Sequence, residues 1–329
     1  MGAGVRDSER YSRFAELEVR GYSDCYAEWA SGVAGDPGTL ELIGGLPVAK
    51  RQPQLVFGAV RYLGLGVVSY GEFREFLVEN RDEVREIVMT HRTQTNEAGR
   101  TAALLPVIGQ FAGEPVALIE YGASSGLCLY PDRYSYRYDD GPMLDPVDGP
   151  SEVVLSCSTS GRPPIPDVLP EVVYRAGLDI NPLNVADAED MRWLEMLIWP
   201  EQRDRLERLR GAVEIARRDP PELRAGDLVD SIAELVDAAP RGVPVLVFGS
   251  AVLTYLEPER RAVFRELMRS LRCHWITNEG IGVLGFGAAA LPPARAGANM
   301  VLALDDRAVG YAAPHGQWVD WFGGGGGGL

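Results

Sequence analysis

The stretch VALIEYGASSGLCLYPDRY, residues 116–134, has side chains whose spacing fits two different chemistries. An apolar run ends at Glu120 and is followed by Gly122, Ser124 and Gly126. As G-x-S-x-G, the loop would make Ser124 the nucleophile of a hydrolase on a strand-to-helix elbow. As E-x-G-x-x-x-G, it would be a glycine loop that cradles a nucleotide-like cofactor, with Glu120 on the ribose.

Other polar side chains follow later apolar runs, where the strands of an open parallel sheet would end and ligands would bind. Asp179 is placed to accept hydrogen bonds from a ribose diol, and Asp227 lies where an adenine amino group could be read. Ser250 and Tyr255 follow the run that ends at Phe248. We expect these positions to share one edge of the sheet.

Three more groups could do chemistry. Asn96, Glu97 and Arg100 crowd polar atoms next to apolar residues, so they either form a hydrogen-bonded junction or reach a ligand pocket. Arg133 could clamp a substrate carboxylate, or it could pair with nearby acids. His315 is a candidate general base because histidine exchanges its proton near neutral pH, and the alternative is a histidine of a surface loop.

Composition limits the function classes. The formal net charge of -15 argues against nucleic acid or an anionic membrane surface as a partner, because both require clustered basic residues. Four widely spaced cysteines and three dispersed histidines predict neither a disulfide framework nor a metal site. We expect a cytoplasmic protein without a signal peptide or a transmembrane helix, since no apolar run is long enough.

The apolar periodicity predicts an α/β fold in which residues 1–112 form a helical N-terminal cap. Within it, residues 73–101 are predicted to form one long amphipathic helical region, which carries Asn96, Glu97 and Arg100. Residues 113–322 are predicted to form a Rossmann-like, doubly wound, mostly parallel sheet with helices. The expected strands are Val116–Ile119, Val172–Ala176, Val243–Phe248 and Trp275–Thr277, with a closing hairpin within residues 291–318. A Pro/Gly-rich insertion at 133–170 is expected to be a partly ordered excursion, and 323–329 a flexible glycine tail.

The order of these motifs resembles that of the class I S-adenosylmethionine-dependent methyltransferases, over about residues 116–279. An acid and a glycine loop come first, an acid follows the second strand, and Gly226-Asp227 follows the third. The segment GSAVLTYL, which begins at Gly249, then leads into a helix that starts with Pro258. In one departure from the family pattern, Ser124 replaces the middle glycine of the loop.

The resemblance implies that S-adenosylmethionine is the cofactor. Its binding residues would be Glu120, Gly122, Ser124, Gly126, Asp179, Asp227, Ser250, Asn96 and Arg100. A small organic methyl acceptor would contact His315, Tyr255 and Arg133. Two alternatives stay open: a serine hydrolase with Ser124 as nucleophile, and a non-catalytic ligand-binding or scaffold protein that keeps the methyltransferase fold.

Several phrases over nearly the whole chain are also similar to an uncharacterised bacterial family called domain of unknown function 2332. These phrases are Gln94–Arg100, Glu120–Gly126, Asp132–Tyr134, Asp179–Pro182, Ile198–Glu201 and Pro314–Gly316. This second resemblance implies no activity, because the family is named for the lack of one.

Overall fold

The computed structural model describes residues 3–286, 291–295, 298 and 300–323, with side chains from residue 5 onward. These residues form a mixed α/β protein with eleven α-helices and an 11-stranded, mostly parallel sheet. Within the described ranges, every helix is too short or too polar to cross a membrane. Of the glycine tail expected at 323–329, all but Gly323 lies outside the described residues.

The helices and strands are numbered in chain order. The helices are α1 (Ala3–Arg13), α2 (Asp24–Gly35), α3 (Pro37–Gly44), α4 (Pro53–Tyr62), α5 (Tyr70–Glu79), α6 (Arg81–Thr90), α7 (Arg100–Ile108), α8 (Ala188–Leu197), α9 (Arg203–Arg218), α10 (Leu228–Ala238) and α11 (Pro258–Ser270). The strands are β1 (Val116–Tyr121), β2 (Ser135–Tyr138), β3 (Met143–Leu144), β4 (Val154–Ser160), β5 (Val172–Asp179), β6 (Glu222–Ala225), β7 (Val245–Ser250), β8 (His274–Gly280), β9 (Met300–Leu304), β10 (Arg307–Ala312) and β11 (Trp318–Trp321).

The chain divides into two compact units. The first contains the chain up to Thr95 together with Ala186–Glu207, and the second contains Asn96–Val185 and the chain from Arg208 onward. The sequence places the end of the helical region at residue 112, whereas this division assigns residues 96–112 to the second unit. All eleven strands lie in the second unit.

The first unit is helical in its described residues and is built around a cluster of aromatic side chains. Trp29 stacks on Phe73 with ring centroids 4.6 Å apart, and Phe57 packs edge-on against both at 5.5 and 5.4 Å. All three side chains are fully buried, so they contribute large apolar areas to the core. Ser69 and Glu72 form a capping box that fixes the start of α5.

The expectation of one helical region over residues 73–101 is wrong. Helix α5 ends at Glu79, α6 begins at Arg81, and residues 91–97 are not helical. The chain leaves α6 because His91 has an extended backbone, with φ -105° and ψ 169°. Asn96 and Glu97 therefore lie on an irregular segment, where their polar atoms bond to other parts of the chain.

The sheet has the strand order β3-β2-β4-β11-β10-β9-β8-β7-β1-β5-β6. Six of its ten neighbouring pairs are parallel. The four strands expected from the apolar runs are confirmed as β1, β5, β7 and β8. Strand β1 is buried along its whole length and pairs in parallel with β5 on one side and β7 on the other.

The expectation of a loose insertion at 133–170 is wrong, because this segment contributes β2, β3 and β4 to the sheet. Strand β4 pairs in parallel with β11, with Trp318 opposite Ser158. Tyr136 and Tyr138 occupy one face of β2, and their hydroxyls donate to the carbonyls of Pro131 at 2.8 Å and Ala102 at 2.7 Å. Their two-residue spacing places both rings on the same side of the strand, and their burial anchors the segment.

The closing hairpin expected within 291–318 is confirmed for its described part. Strands β9 and β10 pair antiparallel and are joined by Asp305 and Asp306, whose φ values are 48° and 63°. Two consecutive left-handed residues give the tight turn that suits twisted antiparallel strands. Residues 287–290, 296, 297 and 299 lie outside the described part of the chain.

We predict that Gly249→Ala destabilises the second unit, because Gly249 of β7 faces the buried ring of Tyr121. A Cβ atom at Gly249 would lie 2.1 Å from Tyr121 Cε2, and Tyr121 is fully buried. Overpacking of this kind costs about 1–3 kcal/mol in the free energy of unfolding, measured by urea titration. The control is Gly113→Ala, where no atom lies within 4 Å of the added Cβ. Equal stability of the two variants would contradict the prediction.

Candidate functional site

The carboxyl ends of β1, β5, β7 and β8 lie at one edge of the sheet, because these four strands are mutually parallel. Glu120, Asp179 and Ser250 occupy these ends, as the sequence predicted from the strand order. In β7 and β8, Ser250 lies directly beside Asn278. Glu120 is paired with the residue two places before Ser250, so Glu120, Ser250 and Asn278 share one face of the sheet.

The loop after β1 has a left-handed backbone at three positions. The φ values are 67° at Gly122, 53° at Ser124 and 75° at Gly126. Gly122 also allows close packing, since a Cβ there would lie 2.3 Å from Cγ2 of Val252 in the loop after β7. The two glycines are therefore required by the backbone and by this contact, while Ser124 holds a conformation that is unfavourable for its type.

The backbone amides of this loop are bonded within the protein. Gly122 and Ala123 both donate to the carbonyl of Leu178, at 2.7 and 3.2 Å. Ser124 donates its amide to Oδ2 of Asp179 at 2.8 Å, and Asn181 donates to Oδ1 at 2.8 Å. Asp179 thus fixes the loop, and each of its oxygens has a second lone pair that a ligand could use.

The segment Asn96–Arg100, which we call the clamp segment, holds three loops through side-chain contacts. Asn96 bridges the glycine loop, donating from Nδ2 to the carbonyl of Ala123 at 2.7 Å and accepting from the amide of Leu127 at 3.1 Å. Arg100 donates from Nη1 to the carbonyl of Ser250 and from Nε to that of Pro314, both at 3.0 Å. These bonds join the clamp segment to the glycine loop, to the end of β7 and to the loop that contains Pro314.

Glu120 is buried at the end of β1, with 5 % of its surface exposed. Its Oε2 atom has no hydrogen-bond partner among the described residues. Burial raises the pKa of the carboxyl well above its ordinary value, Arg100 opposes that shift, and the negative charge of Asp179 adds to it. A buried acceptor without a partner is costly unless a ligand or water satisfies it.

The structure adds Asn278 and Glu279 of β8, which the sequence analysis did not single out. Asn278 is fully buried and donates from Nδ2 to Oγ of Ser250 at 3.1 Å, while its Oδ1 has no hydrogen-bond partner among the described residues. Glu279 accepts the amides of Val252 and Leu253 at Oε1, at 2.9 and 3.1 Å, and its Oε2 likewise lacks a partner in the described part of the chain. Burial raises the pKa of Glu279. The sequence could have indicated both residues, because they directly follow the fourth expected strand, Trp275–Thr277.

Asp227 follows β6 and Tyr255 follows β7, so both lie near the carboxyl ends of parallel strands. Asp227 is the N-cap of α10, where its Oδ1 accepts the amide of Val229 at 2.9 Å and pairs with Arg260 at 2.5 Å. The side chain of Tyr255 is 82 % exposed. The carboxylate of Asp227 is therefore already bonded within the protein, whereas the ring of Tyr255 is exposed and a ligand could contact it.

Arg133 is paired with acids rather than free to clamp a ligand. Its guanidinium lies 3.3 Å from Asp132 and 3.0 Å from Asp148, and its side chain is 44 % exposed. Asp132 forms a second, bidentate pair with buried Arg175, at 2.8 and 2.6 Å, which the sequence analysis missed. Of the two interpretations of Arg133, the contacts agree with the one in which it pairs with nearby acids.

His315 lies beside the clamp segment, with Nδ1 3.7 Å from Oε2 of Glu97. Glu97 is buried, and its Oε1 accepts from Nε of Arg208 at 2.7 Å and from the amide of Gly99 at 3.0 Å. Within the residues that the structure describes, no group of three His, Cys, Asp or Glu side chains could hold a metal ion.

One family model matches residues 8–321 of the chain, and the family is described as "Uncharacterized protein conserved in bacteria (DUF2332)". The chain belongs to this family. No curated protein matches it. The matched DUF2332 region contains every candidate site residue from Asn96 to His315. Because the family description assigns no activity, the function has to be argued from the strand-end site itself.

We predict that Glu120→Gln stabilises this DUF2332 protein at neutral pH but not in acid. The unfolded carboxyl loses its proton near pH 4.5, whereas the buried one keeps it to higher pH. The native state then binds more protons, so the free energy of unfolding falls as pH rises from that value through the folded pKa. Glutamine does not titrate, so the variant should keep this stability, and its free energy of unfolding at pH 8 should be higher by about 1–3 kcal/mol.

Urea unfolding at several pH values between 4 and 8 measures this difference. The control is Glu266→Gln, since the Glu266 side chain is 71 % exposed and its loss should not change the pH dependence. If the free energies of unfolding of Glu120→Gln and the unsubstituted protein differ by the same amount at every pH, the raised pKa of Glu120 is contradicted.

Proposed function

We propose that this protein is an S-adenosylmethionine-dependent methyltransferase that acts on a small organic acceptor. The observation that carries the proposal is the order β6-β5-β1-β7-β8, in which all neighbouring strands are parallel. The chain builds outward from β1 to β5 and β6, then crosses to β7 and β8 on the other side. Such a doubly wound sheet binds nucleotide-like ligands where the strand order reverses.

The placement of acids supports this interpretation. Glu120 is the second-last residue of β1, Asp179 ends β5, and Asp227 follows β6, so three carboxylates occur at the carboxyl ends of adjacent strands. In the resemblance stated above, these are the positions that bind the cofactor. Strand β9 then pairs antiparallel with β8, and residues 1–112 would be a helical cap in this assignment.

The residues fit a nucleoside cofactor. Oε2 of Glu120 is buried without a hydrogen-bond partner among the residues that the structure describes, and Asp179 retains lone pairs, so both could accept hydrogen bonds from ribose hydroxyls. Gly122 and Gly126 provide the left-handed loop beside them. When bound, S-adenosylmethionine would supply a methyl group that is already activated by the sulfonium.

The side chains need to do little besides positioning, because an activated methyl group requires alignment more than acid–base chemistry. Asn96 and Arg100 hold the glycine loop and the end of β7 in place. Ser250 ends β7 and the exposed Tyr255 follows this strand, and we place the methyl acceptor there.

We predict that the purified protein binds S-adenosylmethionine and S-adenosylhomocysteine, and that Glu120→Gln weakens both by about tenfold or more. A hydrogen bond lost at a buried site leaves its partner unsatisfied, which costs about 1–3 kcal/mol, and a factor of ten in affinity corresponds to about 1.4 kcal/mol. Isothermal titration calorimetry measures both affinities. Because Oε2 of Glu120 has no hydrogen-bond partner in the part of the chain that the structure describes, the substitution breaks no bond to those residues through that atom.

Glu266→Gln is again the control and should bind like the unsubstituted protein. Asp179→Asn tests the loop and the ligand together, since Asp179 also accepts the Ser124 amide. No heat with either ligand would contradict the proposal. Binding without turnover of any acceptor would instead favour a non-catalytic protein with this fold.

One observation favours a second candidate, a serine hydrolase. Ser124 has φ 53°, the strained backbone that a nucleophile elbow also has. Against it, only the three-residue turn Leu127–Leu129 follows the loop, in place of the helix that an elbow requires. Ser124 is also 3 % exposed, and β1 is the first strand of the described chain.

We predict that a fluorophosphonate probe does not label Ser124, because the buried side chain is not presented to solvent. Peptide mass spectrometry after labelling locates any adduct. The matched controls are Ser124→Ala and Ser125→Ala, which separate the two neighbouring serines. Labelling that disappears in Ser124→Ala alone would replace the methyltransferase proposal with the hydrolase.

A further inference from the structure

The side chain of Asn278 places an unsatisfied hydrogen-bond acceptor near the carboxyl end of β8. It is fully buried, and its Oδ1 has no hydrogen-bond partner among the described residues. The other end of the amide is fixed, because Nδ2 donates to Oγ of Ser250 at 3.1 Å. A buried acceptor in this state is unfavourable, and a ligand that donates a hydrogen bond would satisfy it.

The register of the sheet places this acceptor on the face that carries Glu120. Asn278 lies opposite Ser250 in the pair β7–β8, and Glu120 lies opposite Phe248 in the pair β1–β7. Because side chains alternate between the two faces of a sheet, those of Glu120, Ser250 and Asn278 point to the same side. Neighbouring strands are about 4.8 Å apart, so β8 lies about 10 Å from β1, with β7 between them.

The proposed position of the cofactor determines which group would reach β8. Asp179 ends β5 and Asp227 follows β6, and both strands lie on the other side of β1 from β7. With the ribose at Asp179 and the adenine at Asp227, the sulfonium would lie over β1. The acceptor atom has to be aligned with the methyl carbon and the sulfur, so it would approach from the side of β7 and β8.

Asn278 and Ser250 offer two hydrogen-bond acceptors next to each other. Oγ of Ser250 accepts one bond from Asn278 and keeps a second lone pair, and both lone pairs of Asn278 Oδ1 are unused by the described residues. A hydroxyl or thiol has one hydrogen to donate, whereas a neutral primary amine has two and keeps its lone pair for the methyl carbon. The net charge of -15 also favours a basic molecule as the substrate.

We propose that Asn278 determines the specificity of the methyl-acceptor site and that the acceptor is a primary amine, which donates to Oδ1 of Asn278 and Oγ of Ser250. This inference rests on the proposed methyl transfer. The amine lone pair forms the new N–C bond, the C–S bond breaks, and its electron pair stays on sulfur. The methylated ammonium product then loses one proton to water.

Sinefungin is a probe of known structure for this site. In place of the sulfur and methyl group of S-adenosylmethionine it has a carbon that carries an amine, which is protonated at neutral pH. The amine would point toward the acceptor site, whereas S-adenosylhomocysteine has no donor there. Isothermal titration calorimetry of the full chain measures both dissociation constants, and their ratio reports the contribution of the amine.

Asn278→Leu keeps a branched side chain but removes the acceptor oxygen. It should lower the preference for sinefungin over S-adenosylhomocysteine about tenfold, because the charged amine loses a buried hydrogen bond. Asn278→Asp should raise this preference at pH 8, since a carboxylate binds an ammonium more strongly than an amide does. If Asn278→Leu does not fold, Asn278→Asp decides the outcome.

Thr277→Val is the matched control. Thr277 precedes Asn278 in β8, is 2 % exposed, and has an Oγ1 that also lacks a partner among the described residues. Its side chain points to the opposite face of the sheet, so loss of the hydroxyl should leave the ratio of the two dissociation constants unchanged.

Two kinds of failure can be told apart. A ratio that is the same in the folded Asn278 variants as in the unsubstituted protein, or one that Thr277→Val changes equally, would overturn the role of Asn278 while the cofactor site stands. No binding of either ligand to the unsubstituted protein would overturn the proposed function, and this inference with it.

Discussion

The candidate site depends on how tightly the loop after β1 is held. Strand β5 provides the carbonyl of Leu178 and the carboxylate of Asp179, which together accept the amides of Gly122, Ala123 and Ser124. Asn96 binds both sides of the same loop from the clamp segment, and Val252 packs on Gly122 from the loop after β7. Since three separate segments contact residues 122–127, a change in any of these segments is expected to move the end of β1 and the carboxylate of Glu120.

A loop fixed in this way makes it possible to keep polar atoms buried without partners. Buried polar groups in folded proteins are nearly always hydrogen-bonded, because each one left unsatisfied costs about 1–3 kcal/mol. Here Glu120 Oε2, Asn278 Oδ1 and Glu279 Oε2 lack partners in the described chain, and all three lie at the carboxyl edge of the central strands. Departures from the packing rules of a stable fold are expected where a protein binds a ligand, so their concentration at this edge supports a binding site there.

The parts of the fold that the sequence predicts well are those determined by local pattern. Central strands such as β1 are continuous apolar runs because both faces are buried, and the alternating tyrosines of β2 follow the two-residue period of a strand. The prediction of one helical region at 73–101 is wrong because the apolar periodicity continues across Asn80 and His91. The backbone at these two residues ends α5 and α6. The prediction of a partly ordered insertion at 133–170 is wrong because β4 pairs with β11, which lies about 160 residues away in the chain. No local sequence pattern shows this pairing.

The site shows the same division between local and long-range information. Glu120 and Asp179 could be found by asking which residues end a strand, and Asn278 could have been found by the same rule. The partners of Asn96, Glu97 and Arg100 could not, because they are backbone atoms and an arginine from distant segments. Sequence spacing locates the acids of this site, whereas only the tertiary structure shows which side chains hold the loops around them.

The distribution of donors and acceptors also determines which kind of ligand the strand ends can bind. A dinucleotide site offers loop amides and a helix N-terminus to a pyrophosphate. In this loop the amides of residues 122–124, 126 and 127 are all bonded within the protein, and a three-residue turn takes the place of the helix. Arg100 directs Nε and Nη1 at two backbone carbonyls, while the buried acceptors Oε2 of Glu120 and Oδ1 of Asn278 lack partners in the described chain. A site of buried acceptors in a chain of net charge -15 disfavours phosphates and favours a ligand with hydroxyls and positive charge. A sulfonium nucleoside has both properties, and a phosphorylated dinucleotide has the opposite charge.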